Sequence, residues 1–409
     1  MDVLLQSLVA LALMIFAAKA AGYASVRLGQ PAVLGELIVG LLLGPSLLNM
    51  MHWPICSGDQ LEAMISFLAH LGVIFLMFVA GLEVDLGTMA QTGRIAIISG
   101  VSGVLAPVIL GALATLPFGY DLQHGLFTGL VLAATSVSIS AQTLMELGVL
   151  RSRVGMALLG AAVVDDVLVI LLLSAFIAVA GGNGGVLAIL WVLVKMLLFL
   201  GIALLLGILV IPRAANIVSH LPISEGIMSL AVVVTFLYSW AAEALGGIAA
   251  ITGAFLAGVI FARTPARKAI EGKVHAIAYS WLVPIFFVSI GLETDVRTLG
   301  AAGIPIALAV LGVALISKVI GCGSGALVAG CTPGEALRLG VGMTSRGEVG
   351  LIVASVGLST GLITDAVFAS VVLMVLVTTL VTPIALRALY PKGAKTAEPA
   401  QVTAETPKA

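Results

Sequence analysis

Apolar runs of about twenty residues recur from one end of this 409-residue chain to the other. That recurrence restricts the fold more than any single motif. A run of this length matches the ~30 Å hydrocarbon core of a bilayer. The backbone finds no water there, so each run must bond its own N–H and C=O groups as a helix. Only 10% of the residues are charged, where a soluble domain has about a quarter. The formal net charge is −1, which offers no electrostatic reason to expect nucleic acid. The chain therefore reads as an all-α polytopic membrane protein, with the lipid bilayer as its first partner.

Thirteen spans are predicted, at 3–24, 31–48, 61–82, 93–117, 122–146, 154–181, 186–211, 223–243, 247–262, 274–292, 300–329, 334–359 and 364–389. An odd count places the two termini on opposite sides. With the N-terminus outside, thirteen Lys and Arg residues face the cytoplasm, Arg297 alone lies outside, and five fall within spans. The positive-inside rule selects that orientation, with a cytoplasmic C-terminus. The first cation is Lys19, so the N-terminus reads as a span and not as a signal peptide. Residues 391–409 are rich in Ala, Pro, Thr and Lys and read as a disordered cytoplasmic tail. The three Cys and five His residues show no metal-ligand spacing, so no cofactor is expected.

The chain also repeats itself. "IFLMFVAGLEVDLGTM" (Ile74–Met89) and "PIFFVSIGLETDVRTL" (Pro284–Leu299) share Gly-Leu-Glu-x-Asp, 210 residues apart. Gly35 and Gly40 match Gly253 and Gly258, and "ATSVSIS" (Ala134–Ser140) matches "MTSRGEV" (Met343–Val349). Spans 2, 3 and 5 thus pair with 9, 10 and 12, always seven spans on. Seven is odd, so the second copy is inverted in the membrane: two six-helix repeats, with span 7 (186–211) as the linker helix. Inverted repeats of this kind belong to secondary transporters.

Polar residues inside spans mark the candidate site. Spans 5 and 12 are interrupted by Ser, Thr, Gly and charge at matching places, and both are predicted to be broken helices. Arg346 and Glu348 in span 12 would be costly on an intact, lipid-facing helix. Span 6 carries two adjacent acids, Asp165 and Asp166. Neighbouring helical positions point ~100° apart, so one acid can face an ion cavity while the other faces a neighbouring helix. Lys318, deep inside span 11, needs a counter-ion and supplies that neighbour. A carboxylate in a wet cavity holds either a proton or a hard cation, and competition for one group suffices for exchange.

Taken together, "FLMFVAGLEVDL", "ATSVSIS", "GAAVVDDVL", Lys318 and "MTSRGEVGLIV" resemble the monovalent cation:proton antiporter superfamily, in its bacterial Kef/NapA-like sodium/proton antiporter branch. The resemblance covers residues 1 to about 390. It implies a homodimer in the bacterial inner membrane. A dimerisation part would span about 1–92 and 223–299, and a core ion-translocating part about 93–181 and 300–390, with broken helices 5 and 12 crossing beside the aspartates. It also implies that Asp166 binds cation and proton in turn, most readily sodium, and that Asp165 pairs with Lys318. Thr135, Ser136 and Ser138 would line the site, with Arg346, Glu348 and Glu83 supporting it. The double aspartate resembles electrogenic exchangers. Kef systems usually lack the first acid and carry a long C-terminal nucleotide-binding domain.

Other readings stay open at this level. A Kef-type potassium/proton antiporter or cation channel would use the same polar cavity, and a sodium-coupled symporter of an organic anion would share the architecture. An intramembrane aspartyl protease is excluded, because its two carboxylates must face each other from separate helices. A transporter, not an enzyme, is the reading that accounts for the repeat and the buried acids together.

Overall fold

The computed structural model describes residues 3–28, 30–53, 56, 58–84, 86–180, 186–292 and 304–390. Arg297, the Glu-x-Asp part of the second repeated motif and the tail at 391–409 lie outside the described residues, as does the side chain of Glu348. Among the described residues, sixteen α-helices follow one another: α1 (Val3–Arg27), α2 (Ala32–Leu43), α3 (Asp59–Leu82), α4 (Leu86–Thr115), α5 (Leu122–Ala133), α6 (Val137–Glu146), α7 (Arg153–Ala180), α8 (Val186–Ser219), α9 (Gly226–Ala241), α10 (Ala250–Phe261), α11 (Arg267–Ile277), α12 (Val283–Leu292), α13 (Ile304–Val328), α14 (Pro333–Gly342), α15 (Glu348–Ser359) and α16 (Asp365–Leu389). Five-residue π turns, Ala242–Gly246 and Ala278–Leu282, extend α9 and join α11 to α12.

Among the described residues, ten helices are long and apolar enough to cross a membrane, counting α5–α6 and α11–α12 as single crossings. Three shorter apolar helices, Ala32–Leu43, Ala250–Phe261 and Val349–Leu358, fall within predicted spans 2, 9 and 12. The chain is thus an all-helical, multi-pass membrane protein. Several boundaries differ from the hydropathy reading, two of them at polar helix ends. α8 continues to Ser219, through Pro212 and past the predicted end at 211. α11 begins at Arg267, ahead of the predicted start at 274. In both places the polar end of a helix leaves the hydrocarbon region while backbone bonding continues, and hydropathy registers only the apolar part.

The helices pack as two bundles. In the first, the crossover bundle, α4, α7, α13 and α16 surround the broken helices α5–α6 and α14–α15. The second, the flanking bundle, contains α1–α3, α9–α12 and the π turns, and α8 touches both. The repeat is visible in the flanking bundle as one contact made twice. A Cβ on Gly40 of α2 would lie 2.4 Å from the Val288 carbonyl of α12, and one on Gly258 of α10 2.2 Å from the Phe78 carbonyl of α3. Gly291 and Gly81, the first residues of the two Gly-Leu-Glu motifs, are the facing members of these pairs. Membrane helices associate by such close backbone approach, because lipid supplies no hydrophobic drive to bring them together.

Candidate functional site

α5 stops at Ala133 and α6 starts at Val137, while α14 stops at Gly342 and α15 starts at Glu348. The two breaks meet. The Ser136 N–H donates to the Ser345 carbonyl at 2.9 Å, and Ser345 Oγ donates to the Ser136 carbonyl at 2.6 Å. Ser140 Oγ donates to the Gly342 carbonyl at 2.5 Å. Ser136 and Ser345 are the serines of the two matched Thr-Ser pairs, so equivalent positions of the repeats bond to each other. A broken helix in a membrane must find partners for its freed backbone groups, and here each break serves the other.

Arg346 completes this satisfaction. Its side chain is fully buried. Nε donates to the Leu132 carbonyl at 2.9 Å, Nη1 to the carbonyls of Met343, Thr344 and Ser345 at 3.0, 2.8 and 3.2 Å, and Nη2 to that of Ala314 at 3.2 Å. The guanidinium thus sits at the C-terminal ends of α5 and α14, whose unpaired carbonyls carry partial negative charge. From α16, Thr379 Oγ1 donates to the Arg346 carbonyl at 2.8 Å. The arginine therefore ties the crossover together.

Asp165 and Asp166 on α7 diverge as the helical geometry requires. Asp165 Oδ1 and Lys318 Nζ of α13 are 2.5 Å apart, and both side chains are fully buried. The second oxygen of Asp165, Oδ2, makes no hydrogen bond. Asp166 faces the flanking bundle, where Thr252 of α10 donates from Oγ1 to Asp166 Oδ2 at 3.2 Å. Around Asp166 is a small cavity of about 10 Å³ whose lining includes Met77, Val137, Ile251 and Phe255. That is near the ~10–15 Å³ that one water requires. Val137 is the first residue of α6, so the positive end of a half-helix borders the same cavity as the carboxylate.

The other expected site residues are distributed differently. Thr135, Ser136 and Ser138 are buried beside this cavity, but their hydroxyls serve the crossover. Thr135 Oγ1 donates to the Ala133 carbonyl at 3.3 Å, and Ser136 Oγ and Ser138 Oγ are hydrogen-bonded at 3.0 Å. Glu83 lies beyond the end of α3 and lines a separate vestibule of about 570 Å³. Burial pushes its carboxyl above the usual range, opposed by Arg151. Thr252 escaped the sequence reading. A signal was present: Thr252 precedes Gly253, whereas Leu34 precedes the matched Gly35.

A buried ion pair is expensive to form and more expensive to break on one side. Lys318→Met should lower the thermal unfolding temperature in detergent markedly, with a loss of about 3–5 kcal/mol, because Asp165 is left as an uncompensated buried charge. Asp165→Asn combined with Lys318→Met should recover most of that loss. A double variant as unstable as the sum of the two single variants would refute the pairing as the source of the effect.

Comparison with known proteins places these features. The family model for sodium/hydrogen exchangers (transmembrane) matches residues 11–391. The chain belongs to that family. It is 39% identical to the Na(+)/H(+)-K(+) antiporter GerN of Bacillus cereus, over 94% of this chain and 96% of that protein. It is 34% identical to a Na(+)/H(+) antiporter of Enterococcus hirae, over 92% and 96%. It is also 34% identical to the high-affinity Na(+)/H(+) antiporter NhaS3 of Synechocystis, over 98% and 93%. In three dimensions it resembles the sodium proton antiporter MjNhaP1 of Methanocaldococcus jannaschii. The TM-score is 0.70 at 18% identity, covering 95% of this chain and 97% of that one. At that identity the likeness establishes a shared fold. This exchanger-family member thus carries its buried acids on the helix that passes beside the crossover.

Proposed function

We propose that this chain exchanges a monovalent cation, sodium in the first instance, for protons by alternating access. One observation carries the reading: Asp166 is a buried carboxylate at a small cavity between two helix bundles, while its neighbour Asp165 is already committed to Lys318. Asp166 binds the cation or the proton, and competition between them couples the two fluxes. The crossover bundle is the moving core (about 93–181 and 300–390). The flanking bundle is the dimerisation part (about 1–92 and 223–299) of a homodimer in the bacterial inner membrane. The face bearing Arg27, Arg151, Arg153, Arg267 and Arg387 is cytoplasmic, which puts the N-terminus outside.

The names of the relatives support sodium, and GerN's adds potassium as a second cation to test. The assay is purified protein in liposomes holding a pH-sensitive dye and a proton gradient. Sodium should dissipate the gradient. Lithium and potassium in separate arms rank the cations. Cation flux without proton movement would convert the reading to a channel, and no response to any cation would refute it. Because cation and proton compete, the half-saturating cation concentration should rise as pH falls. A half-saturation constant independent of pH across the active range would rule out a shared site.

A further inference from the structure

The vestibule and the Asp166 cavity border the same two helices without joining. On α6, Val137 lines the cavity and Gln142 the vestibule; along α3, Met77 lines the cavity and Glu83, just past the helix end, the vestibule. At ~1.5 Å rise per residue, the step from Val137 to Gln142 is only about 7.5 Å. The vestibule opens on the arginine-rich face, where Lys19, Gln30 and Arg387 line it. In the vestibule lining a polar contact joins the bundles: the Tyr279 hydroxyl donates to Gln142 Oε1 at 2.7 Å. Met145 Sδ lies 3.7 Å from the same hydroxyl.

Both ends of this contact are held. The Gln142 amide donates from Nε2 to Glu146 Oε1 at 2.7 Å. Glu146 in turn accepts the backbone N–H groups of Ala32 and Val33, at 2.5 and 3.2 Å, at the start of α2. The chain of bonds therefore begins on the flanking bundle, passes through α6 and returns to the flanking bundle. Tyr279 stacks on His275, ring centroids 4.2 Å apart, and sits in the π turn Ala278–Leu282. Single π turns within α-helices are frequent at functional sites. The inverted repeat shows that the fold does not demand this arrangement. The matching helix α3 runs unbroken, the residue matching Tyr279 at the 210-residue offset is Ala69, and the residue matching Gln142 is Leu351.

We propose that the Tyr279–Gln142 hydrogen bond is the gate between the vestibule and Asp166. Made, it holds α6 against the flanking bundle and seals the carboxylate from the arginine-rich face. Broken, it lets the two bundles part and a hydrated cation reach Asp166. The inference rests on the reading of Asp166 as the ion-binding group. Both gate residues are positioning residues, acting through the separation of the bundles.

The test reads accessibility and not transport, so a failure of exchange in liposomes leaves it intact. In a background with Cys56, Cys322 and Cys331 replaced by Ser or Ala, Val137→Cys reports on the cavity. A small charged methanethiosulfonate reagent is applied from the arginine-rich face. Tyr279→Phe keeps the ring and its stacking on His275 but removes the hydroxyl. It should speed modification about fivefold, the population change equivalent to one ordinary hydrogen bond. Gln142→Leu should do the same, and the double variant should be no faster than either single one. Unchanged rates in both single variants would overturn the proposal. So would equal acceleration with the reagent on the opposite face, which would indicate general loosening.

Discussion

Asp166→Asn should abolish cation-driven proton movement in proteoliposomes while the protein still purifies in its native oligomeric state. Asparagine keeps the size of the side chain and an oxygen to accept the Thr252 hydroxyl. It removes the charge that holds the cation and the proton that is released in exchange. At ~4 Å in surroundings of effective dielectric ~20, the lost attraction is about 4 kcal/mol, or roughly a thousandfold in cation affinity. Asp166→Glu should retain weak exchange with altered apparent affinity, since the charge stays and its reach changes. Exchange by Asp166→Asn within a few fold of wild type would eliminate Asp166 as the carrier. The coupling would then have to run through Asp165 and Lys318.

Arg346→Leu should leave little monodisperse protein after extraction into detergent. The substitution removes the guanidinium from the carbonyls of Leu132, Ala314, Met343, Thr344 and Ser345, deep in the crossover, and of these the Ser345 carbonyl still keeps the Ser136 N–H. Each buried acceptor left without a donor costs about 1–3 kcal/mol. Arg346→Lys should be intermediate. An ammonium keeps the positive charge near the two helix ends but lacks the planar fork that reaches carbonyls from different helices at once. Size-exclusion profiles and thermal unfolding in detergent measure both effects. Wild-type stability in Arg346→Leu would mean that the crossover finds other donors and that the arginine is held for its charge.

Much of the architecture was legible in the sequence because the relevant signals are local. An apolar run declares a membrane helix wherever it packs, and the Thr-Ser and Arg-Gly-Glu interruptions declared breaks within spans 5 and 12. The glycine matches proved to be contact positions: Gly40 faces Gly291, and Gly258 faces Gly81. The helical angle between Asp165 and Asp166 required different partners for the two acids, and Lys318 was conspicuous as a cation far from either end of its span. Polar helix ends such as Arg267–Lys273 were invisible to hydropathy, which measures transfer into lipid and not backbone bonding.

Residue order is enough to show that this chain spans a membrane as an inverted repeat of helices, with charge inside its spans that an intact lipid-facing helix would not carry. These conclusions need only composition, period and spacing, which survive without knowledge of which helix faces which. Packing had to be seen to learn that Thr252 reaches Asp166 from the flanking bundle, that Arg346 donates to five carbonyls, and that Tyr279 meets Gln142 in the lining of the vestibule. Gln142 and Tyr279 are 137 residues apart, and Asp166 and Thr252 are 86 apart. Hydroxyls and amides on apolar helices bond whatever the packing brings within about 3 Å, and packing is set by the shapes of helices distant in the chain.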